Sequence, residues 1–150
     1  MDKEFPYNLP IWRSSHRAES PNGKYIAEID PAHEVSMGNP TNGTLELSNG
    51  LCLPKCNPSF IWSDDSTYLA VPQFTYNWFW GTGKQRLLII DVNKNRGWQS
   101  PKIAYYIQPE TFRGGELAVT LNPFRKAKTM THSIPKDLGT FTTITLPPNL

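Results

Sequence analysis

Ser20-Pro21-Asn22-Gly23-Lys24-Tyr25-Ile26-Ala27 and Ser63-Asp64-Asp65-Ser66-Thr67-Tyr68-Leu69-Ala70 share one pattern, a polar turn followed by a short apolar strand. The two segments lie 43 residues apart, and the same offset aligns Leu45-Glu46-Leu47 with Leu88-Ile89-Ile90 without a gap. Fixed periods of about this size are typical of stacked β units such as propeller blades. The sequence therefore predicts an all-β fold made of antiparallel, blade-like meanders with an internal repeat of approximately 43 residues.

A chain of 150 residues is long enough to bury a core as a single domain. The 14 prolines and 10 glycines indicate many turns and few long helices. We expect seven to nine strands and at most one short helix, between Asn122 and Leu138. Within the domain 1–150 we expect an N-terminal arm at 1–16, a first repeat at 17–58, a second at 59–107 and a degenerate third at 108–150, where Leu117-Ala118-Val119 resembles the earlier apolar strand.

Local signals place some of the strands and turns. The segment from Arg86 to Val92 is almost wholly apolar, so we expect a central strand that is covered on both faces. Asn49-Gly50 and Asp64-Asp65-Ser66 are turn signals, the latter with side chains that can bond their own backbone. Pro72 is expected to bend or end the strand from Thr67 to Phe74.

The segment Phe60-Ile61-Trp62-Ser63-Asp64-Asp65-Ser66-Thr67-Tyr68-Leu69-Ala70 resembles the blade motif of TolB-like propellers and of the propeller domains in prolyl-oligopeptidase-type enzymes. That motif reads aromatic-Ser-Pro-Asp-Gly-Lys, then an apolar pair and Ala. The resemblance covers roughly residues 17–107 and implies four-stranded antiparallel units, which commonly serve as binding surfaces. Closed propellers typically need at least four blades, and this chain has room for about three. We therefore expect an open or rolled sheet or a sandwich rather than a complete propeller.

The sequence carries no catalytic motif. The G-x-S-x-G elbow of a serine nucleophile is absent, and Gly81-Thr82-Gly83-Lys84 does not extend to a Walker motif because Trp78 and Gln85 occupy two required positions. The spacing of Cys52 and Cys56 fits neither a redox motif nor a zinc knuckle, which favours two half-buried thiols. We therefore expect a protein that is not an enzyme and that holds no metal or cofactor.

Charge and hydropathy limit the partners. A net charge of +2 is too small for electrostatics alone to drive nucleic-acid binding. The longest aliphatic run, Leu87–Ile90, is far shorter than the roughly 20 residues of a membrane span. The start of the chain, Met1–Pro6, has no apolar signal-peptide core. These features predict a cytoplasmic protein that binds neither nucleic acid nor membranes.

Five aromatic residues are concentrated in one segment where the repeat predicts a loop between strands: Phe74, Tyr76, Trp78, Phe79 and Trp80. In an extended segment, alternation would place three of these rings on one face. Because Trp and Tyr dominate interface hot spots, the segment predicts a binding patch. A long hairpin whose rings cover a core face explains the same pattern equally well.

These observations favour a non-enzymatic module that binds another protein through the aromatic segment. Within that class we favour a bacterial toxin-neutralising, immunity-type protein, a specification for which the sequence holds no motif. One alternative is a hydrolase whose site is not visible in the sequence, and which would show a deep pocket with converging polar groups. The other is a structural module that completes a propeller by oligomerising.

Overall fold

The computed structural model describes residues 9–34, 39–77, 81–123 and 126–147, and its fold is all-β with antiparallel sheets, as predicted. These ranges contain thirteen strands, more than the seven to nine expected, together with two short 3-10 helices and no α-helix. The strands are β1 (His16–Glu19), β2 (Ile26–Ile29), β3 (His33–Glu34), β4 (Thr41–Leu47), β5 (Cys52–Cys56), β6 (Ile61–Trp62), β7 (Tyr68–Asn77), β8 (Gly81–Asp91), β9 (Arg96–Ala104), β10 (Ile107–Arg113), β11 (Glu116–Leu121), β12 (Lys128–Ser133) and β13 (Thr142–Ile144). The 3-10 helices are Pro10–Trp12 and Lys136–Thr140.

The strands form one large and one small sheet. The large sheet has the order β1-β2-β4-β5-β7-β8-β9-β13, with β3 paired to β4 and β6 paired to β7. The small sheet has the order β10-β11-β12. Within the described ranges neither sheet closes on itself, which agrees with the predicted open sheet or sandwich.

Two hydrophobic cores lie on opposite faces of the hairpin β7–β8. The first core joins side chains of β2, β4 and β5 to Leu88 and Ile90, so the large sheet curves around it. The second core joins Leu87 and Ile89 to side chains of the small sheet and of the second 3-10 helix. Because alternate residues of β8 enter different cores, this strand is covered on both faces, and the expectation of a central, buried strand is confirmed.

Two turns that lie 43 residues apart have the same hydrogen bonds. In the first, the Ser20 N–H donates to the Tyr25 carbonyl at 2.8 Å, and the Tyr25 N–H donates to Ser20 Oγ at 3.1 Å. In the second, the Ser63 N–H donates to the Tyr68 carbonyl at 2.8 Å, and the Tyr68 N–H donates to Ser63 Oγ at 2.9 Å. The backbone of each turn is therefore closed by the hydroxyl of its own serine.

The residues inside the two turns also correspond. Ser20 Oγ donates to Asn22 Oδ1 at 2.8 Å, as Ser63 Oγ donates to Asp65 Oδ1 at 2.7 Å. The bond from Ser63 is the main cause that lowers the pKa of the Asp65 carboxyl. The backbone is left-handed at Gly23 (φ 74°) and at its counterpart Ser66 (φ 65°). This conformation is higher in energy for serine, which has a Cβ atom, than for glycine. The Ser66 hydroxyl accepts the Asn22 N–H at 2.9 Å and so links the two turns.

The strands around these turns agree only in part. One strand pairing corresponds at the 43-residue offset: Ala18 pairs with Ala27, and Ile61 pairs with Ala70. The next pairing is shifted by one residue, because Ala27 pairs with Leu47 whereas Ala70 pairs with Ile89. A repeat of whole 43-residue units therefore stays a prediction, and so does the propeller resemblance.

Two local expectations are wrong, namely that Pro72 ends its strand and that a helix lies between Asn122 and Leu138. A bend of the strand at Pro72 stays a prediction. Strand β7 continues through Pro72. The odd-numbered residues of β7 form the backbone hydrogen bonds to β8, so the nitrogen of Pro72, an even-numbered residue, faces away from β8. The missing N–H of proline therefore interrupts no bond to β8. The expected helix between Asn122 and Leu138 is instead strand β12, followed by the 3-10 helix Lys136–Thr140. The threonines of β12 favour an extended backbone.

The part of the N-terminal arm that the structure describes packs on the body. Ile11 and Trp12 are buried, and the Trp12 indole N–H donates to the Asn39 carbonyl at 3.1 Å. The fully buried Asn57 side chain donates to the carbonyls of Ile11 and Thr41 at 2.9 and 2.7 Å. The arm therefore contributes to the core at its 3-10 helix.

Candidate functional site

The hairpin β7–β8 extends beyond the strands that flank it. On one side its pairing with β5 occurs at Gln73, and on the other its pairing with β9 reaches Gln85. Further out, Thr75 pairs with Lys84 and Asn77 with Gly81. Among the described residues, this outer part is a two-stranded ribbon without a third strand. We call this ribbon, together with its base at Phe74 and Gln85, the hairpin end, residues 74–85.

The predicted aromatic residues all belong to the hairpin end. Phe74 is buried, with 9% of its surface exposed, and it pairs with Gln85. The backbone of Tyr76 belongs to β7, but its side chain lies outside the described part of the structure, as do Trp78, Phe79 and Trp80 entirely. The burial of Phe74 shows that the base of the hairpin end contributes to the core. The binding prediction for the other four residues stays a prediction.

The structure adds Tyr105 to this region, which sequence reasoning did not single out. Tyr105 lies between β9 and β10 and is 52% exposed, and it is the large hydrophobic side chain most open to solvent among the described residues. The ammonium group of Lys84 lies 5.3 Å from the centroid of the Tyr105 ring, within the range of a cation–π contact. No Gly, Pro, Asn or Asp marks the break between β9 and β10, so the sequence gave no signal for this exposure.

The base of the hairpin end is fixed by Gln85. This side chain is fully buried, and its Oε1 accepts the Ile107 N–H at 3.1 Å, which ties β8 to the start of β10. Tyr105 directly precedes this junction, so its ring is held close to the hairpin end. The described part of this region therefore holds the exposed Tyr105 ring and the Lys84 ammonium group beside the base of the hairpin end.

A separate small cleft opens between the two sheets. It is lined by Leu87, Ser100, Lys102, Ile107, Val119, Leu121, Met130 and His132. The pairing of β8 with β9 is irregular at Leu87, where residues 100–102 of β9 lie opposite this single residue of β8. Ser100 and Lys102 of this irregular stretch form one wall of the cleft. The cleft has room for about one water molecule. This cleft is not the deep pocket that the hydrolase hypothesis predicts, and that hypothesis stays untested.

The environment of His132, a titratable residue that lines the cleft, shifts its pKa. Its ring meets the Phe141 ring edge-to-face at 5.4 Å. Burial lowers the pKa of His132, and the nearby Asp137 carboxylate partly opposes that effect. The imidazole is therefore neutral at pH 7.

The two cysteines differ in exposure, and the paired aspartates stabilise turns. Cys52 is exposed and Cys56 is buried, rather than both half-buried, and both are free thiols. Burial raises the pKa of Cys56 to about 12, so this thiol stays protonated. The Asp64 carboxylate accepts the Gly114 N–H at 3.1 Å and joins its turn to the turn between β10 and β11. Asp65 closes its own turn.

Other site types find no support in the described ranges. They contain no group of three or more His, Cys, Asp or Glu side chains arranged to hold a metal ion. Their helices are two short 3-10 segments, and neither has the length or the apolar character to span a bilayer.

Comparison with known proteins gives no relative from which a role could be transferred: no family model, no curated protein and no solved structure matches this chain.

Proposed function

We propose that this chain is a non-enzymatic module that binds another protein through the hairpin end. The observation that carries the proposal is the ribbon of β7 and β8, which extends past its neighbouring strands and bears an unusual concentration of aromatic residues in its sequence. A protruding element presents side chains to a partner without rearrangement of the fold. Aromatic anchors supply large apolar area with few rotatable bonds.

The exposed Tyr105 supports the same surface. Among the described residues, Tyr105 is the large hydrophobic side chain most open to solvent, and it lies beside the ribbon, next to Lys84. A partly apolar, partly cationic surface of this kind suits a protein partner whose contact region is apolar with acidic groups at its rim. The modest net charge of +2 favours a protein over nucleic acid.

As the identity of that partner we propose a toxin that the chain neutralises, in a bacterial cytoplasm. Neutralisation requires only that a compact protein occupy the toxin, and the proposal assigns no reaction to this chain. The cleft, with its room for about one water molecule, favours no hydrolytic substrate.

Affinity capture from the native host tests this proposal. The tagged chain should retain a protein partner, and Trp78→Ala or Trp80→Ala should weaken that complex about 30-fold, the equivalent of about 2 kcal/mol. The matched controls Trp78→Phe and Trp80→Phe keep an aromatic ring and should lose much less. Co-expression should suppress the toxicity of the captured partner. A partner whose affinity is the same for wild type and both alanine variants would remove the hairpin end from the binding site.

A further inference from the structure

The small sheet lacks a strand that the large sheet has in two comparable places. Strands β1-β2-β4-β5 form a four-stranded antiparallel array, and so do β6-β7-β8-β9. The small sheet has only β10-β11-β12, and the chain after β12 returns to the large sheet as β13, which pairs with β9. Within the described ranges, the position beside β12 is therefore open.

The backbone of β12 presents unpaired groups at this position. The Ile134 N–H donates to the Gly115 carbonyl at 2.7 Å, which fixes the even-numbered residues of β12 as those bonded to β11. The N–H groups of Thr129, Thr131 and Ser133 therefore point outward. Ser133 donates to the Asp137 carboxylate at 2.7 Å, whereas Thr129 and Thr131 are exposed to solvent.

The opposite edge of the same sheet is covered by the chain itself. On β10, the Ile107 N–H donates to Gln85 at 3.1 Å, and the Phe112 carbonyl accepts the Asp64 N–H at 3.0 Å. One edge is thus closed by specific bonds, whereas among residues 9–34, 39–77, 81–123 and 126–147 the other is closed only at its end, by Asp137. An open edge of this kind accepts an added strand.

The side chains around the open edge indicate what kind of strand it takes. Met130 and His132 line the small cleft, so one face of an added strand would lie over the cleft, which has room for about one methyl-sized group. Four lysines near β12 in the chain or in the cleft lining are exposed: Lys102 of β9, which lines the cleft, Lys126 just before β12, Lys128 on it and Lys136 just after it. Such a concentration of positive charge favours an acidic segment and disfavours a second copy of this chain, because self-pairing would bring these lysines together.

We propose that the outer edge of β12 is a second docking surface, which pairs antiparallel with an extended acidic segment of another protein and receives one small apolar side chain in the cleft. The antiparallel direction follows the chain's own example, since β9 runs antiparallel to β8. This surface is independent of the hairpin end and does not depend on the function proposed for it.

The test uses the full chain and a labelled peptide, Glu-Val-Glu-Ala-Glu-Val-Glu, with a Gln-for-Glu version as its neutral control. Amide exchange should be fast at Thr129 and Thr131 in the chain alone and should slow on addition of the acidic peptide. Thr131→Pro removes an outward N–H without breaking a bond to β11, so it should weaken peptide binding about tenfold or more. The matched control Thr131→Val keeps the N–H and should bind within about twofold of wild type.

Lys128→Glu provides a second variant that keeps the backbone intact, and it should weaken the acidic peptide more than the neutral one. Slow exchange at Thr129 and Thr131 in the monomeric chain alone would overturn the proposal, because its own residues would then cover the edge. Failure of the acidic peptide to bind, or equal binding to Thr131→Pro, would also overturn it. A dimer in light scattering that Thr131→Pro dissociates would assign the edge to a second copy instead.

Discussion

Replacing Ser20 or Ser63 with alanine tests whether the two turns that lie 43 residues apart contribute equally to stability. Each hydroxyl accepts one backbone N–H and donates to one side chain, and each serine is almost fully buried. A net contribution of about 0.5–1.5 kcal/mol for each of the two hydrogen bonds predicts that Ser20→Ala costs about 1–3 kcal/mol. Ser63→Ala should cost more, about 2–4.5 kcal/mol, because a hydrogen bond to a charged group such as the Asp65 carboxylate contributes about 1.5–3 kcal/mol.

The variant Asp65→Asn removes that difference, because asparagine is the residue that the first turn already has at Asn22. In the Asp65→Asn background, Ser63→Ala should cost the same as Ser20→Ala within about 0.5 kcal/mol. Urea unfolding followed by tryptophan fluorescence measures these free energies, and the exposed Ser15→Ala serves as the control. A cost near zero in one turn and above about 2 kcal/mol in the other would refute the equivalence.

Three further predictions follow from burial. Leu88→Ala should lower the free energy of unfolding in urea by about 3–5 kcal/mol, because Leu88 is fully buried and its strand, which is paired on both sides, cannot relax into the cavity. A decrease below about 1 kcal/mol would show that β8 is not central. Iodoacetamide should modify Cys52 alone in the folded chain and Cys56 only after denaturation, which mass spectrometry can measure. Rapid modification of Cys56 in the folded chain would contradict its burial. Burial lowers the pKa values of His16 and His132 below 6.5, so near and below that pH the unfolded chain binds more protons than the folded one. The unfolding free energy should therefore be greatest above pH 6.5 and should fall as the pH drops below that value. In His132→Gln the unfolding free energy should change less steeply with pH, and an unfolding free energy that does not depend on pH would refute this assignment.

The parts of the fold that the sequence predicted are those that depend on local chemistry. The turn at Asp64 and Asp65 follows from the Asp65 carboxylate, which accepts the Thr67 N–H of its own turn. Strand β8 follows from a continuous apolar run that needs cover on both faces. The strand β12 had a local signal as well, in the alternating threonines of Lys128–Ser133, which the helix expectation overlooked.

The remaining features depend on contacts between distant residues. Whether Pro72 ends a strand is decided by which side its nitrogen faces, and that depends on the position of β8. The exposure of Tyr105 depends on the break between β9 and β10 and on the Gln85 bond that fixes it. The aromatic segment gives the same alternation whether its rings enter a core or a partner, so its sequence alone predicts both.

Thermal unfolding of Trp78→Ala and Trp80→Ala tests the proposed binding surface most directly, because it requires no knowledge of the partner. If these rings serve an interface, each substitution should leave the melting temperature nearly unchanged, with a stability loss within about 0.5 kcal/mol. Rings that instead cover a core face would each cost about 3–5 kcal/mol on truncation. A large drop in melting temperature for both variants would contradict the account of the hairpin end as a binding site.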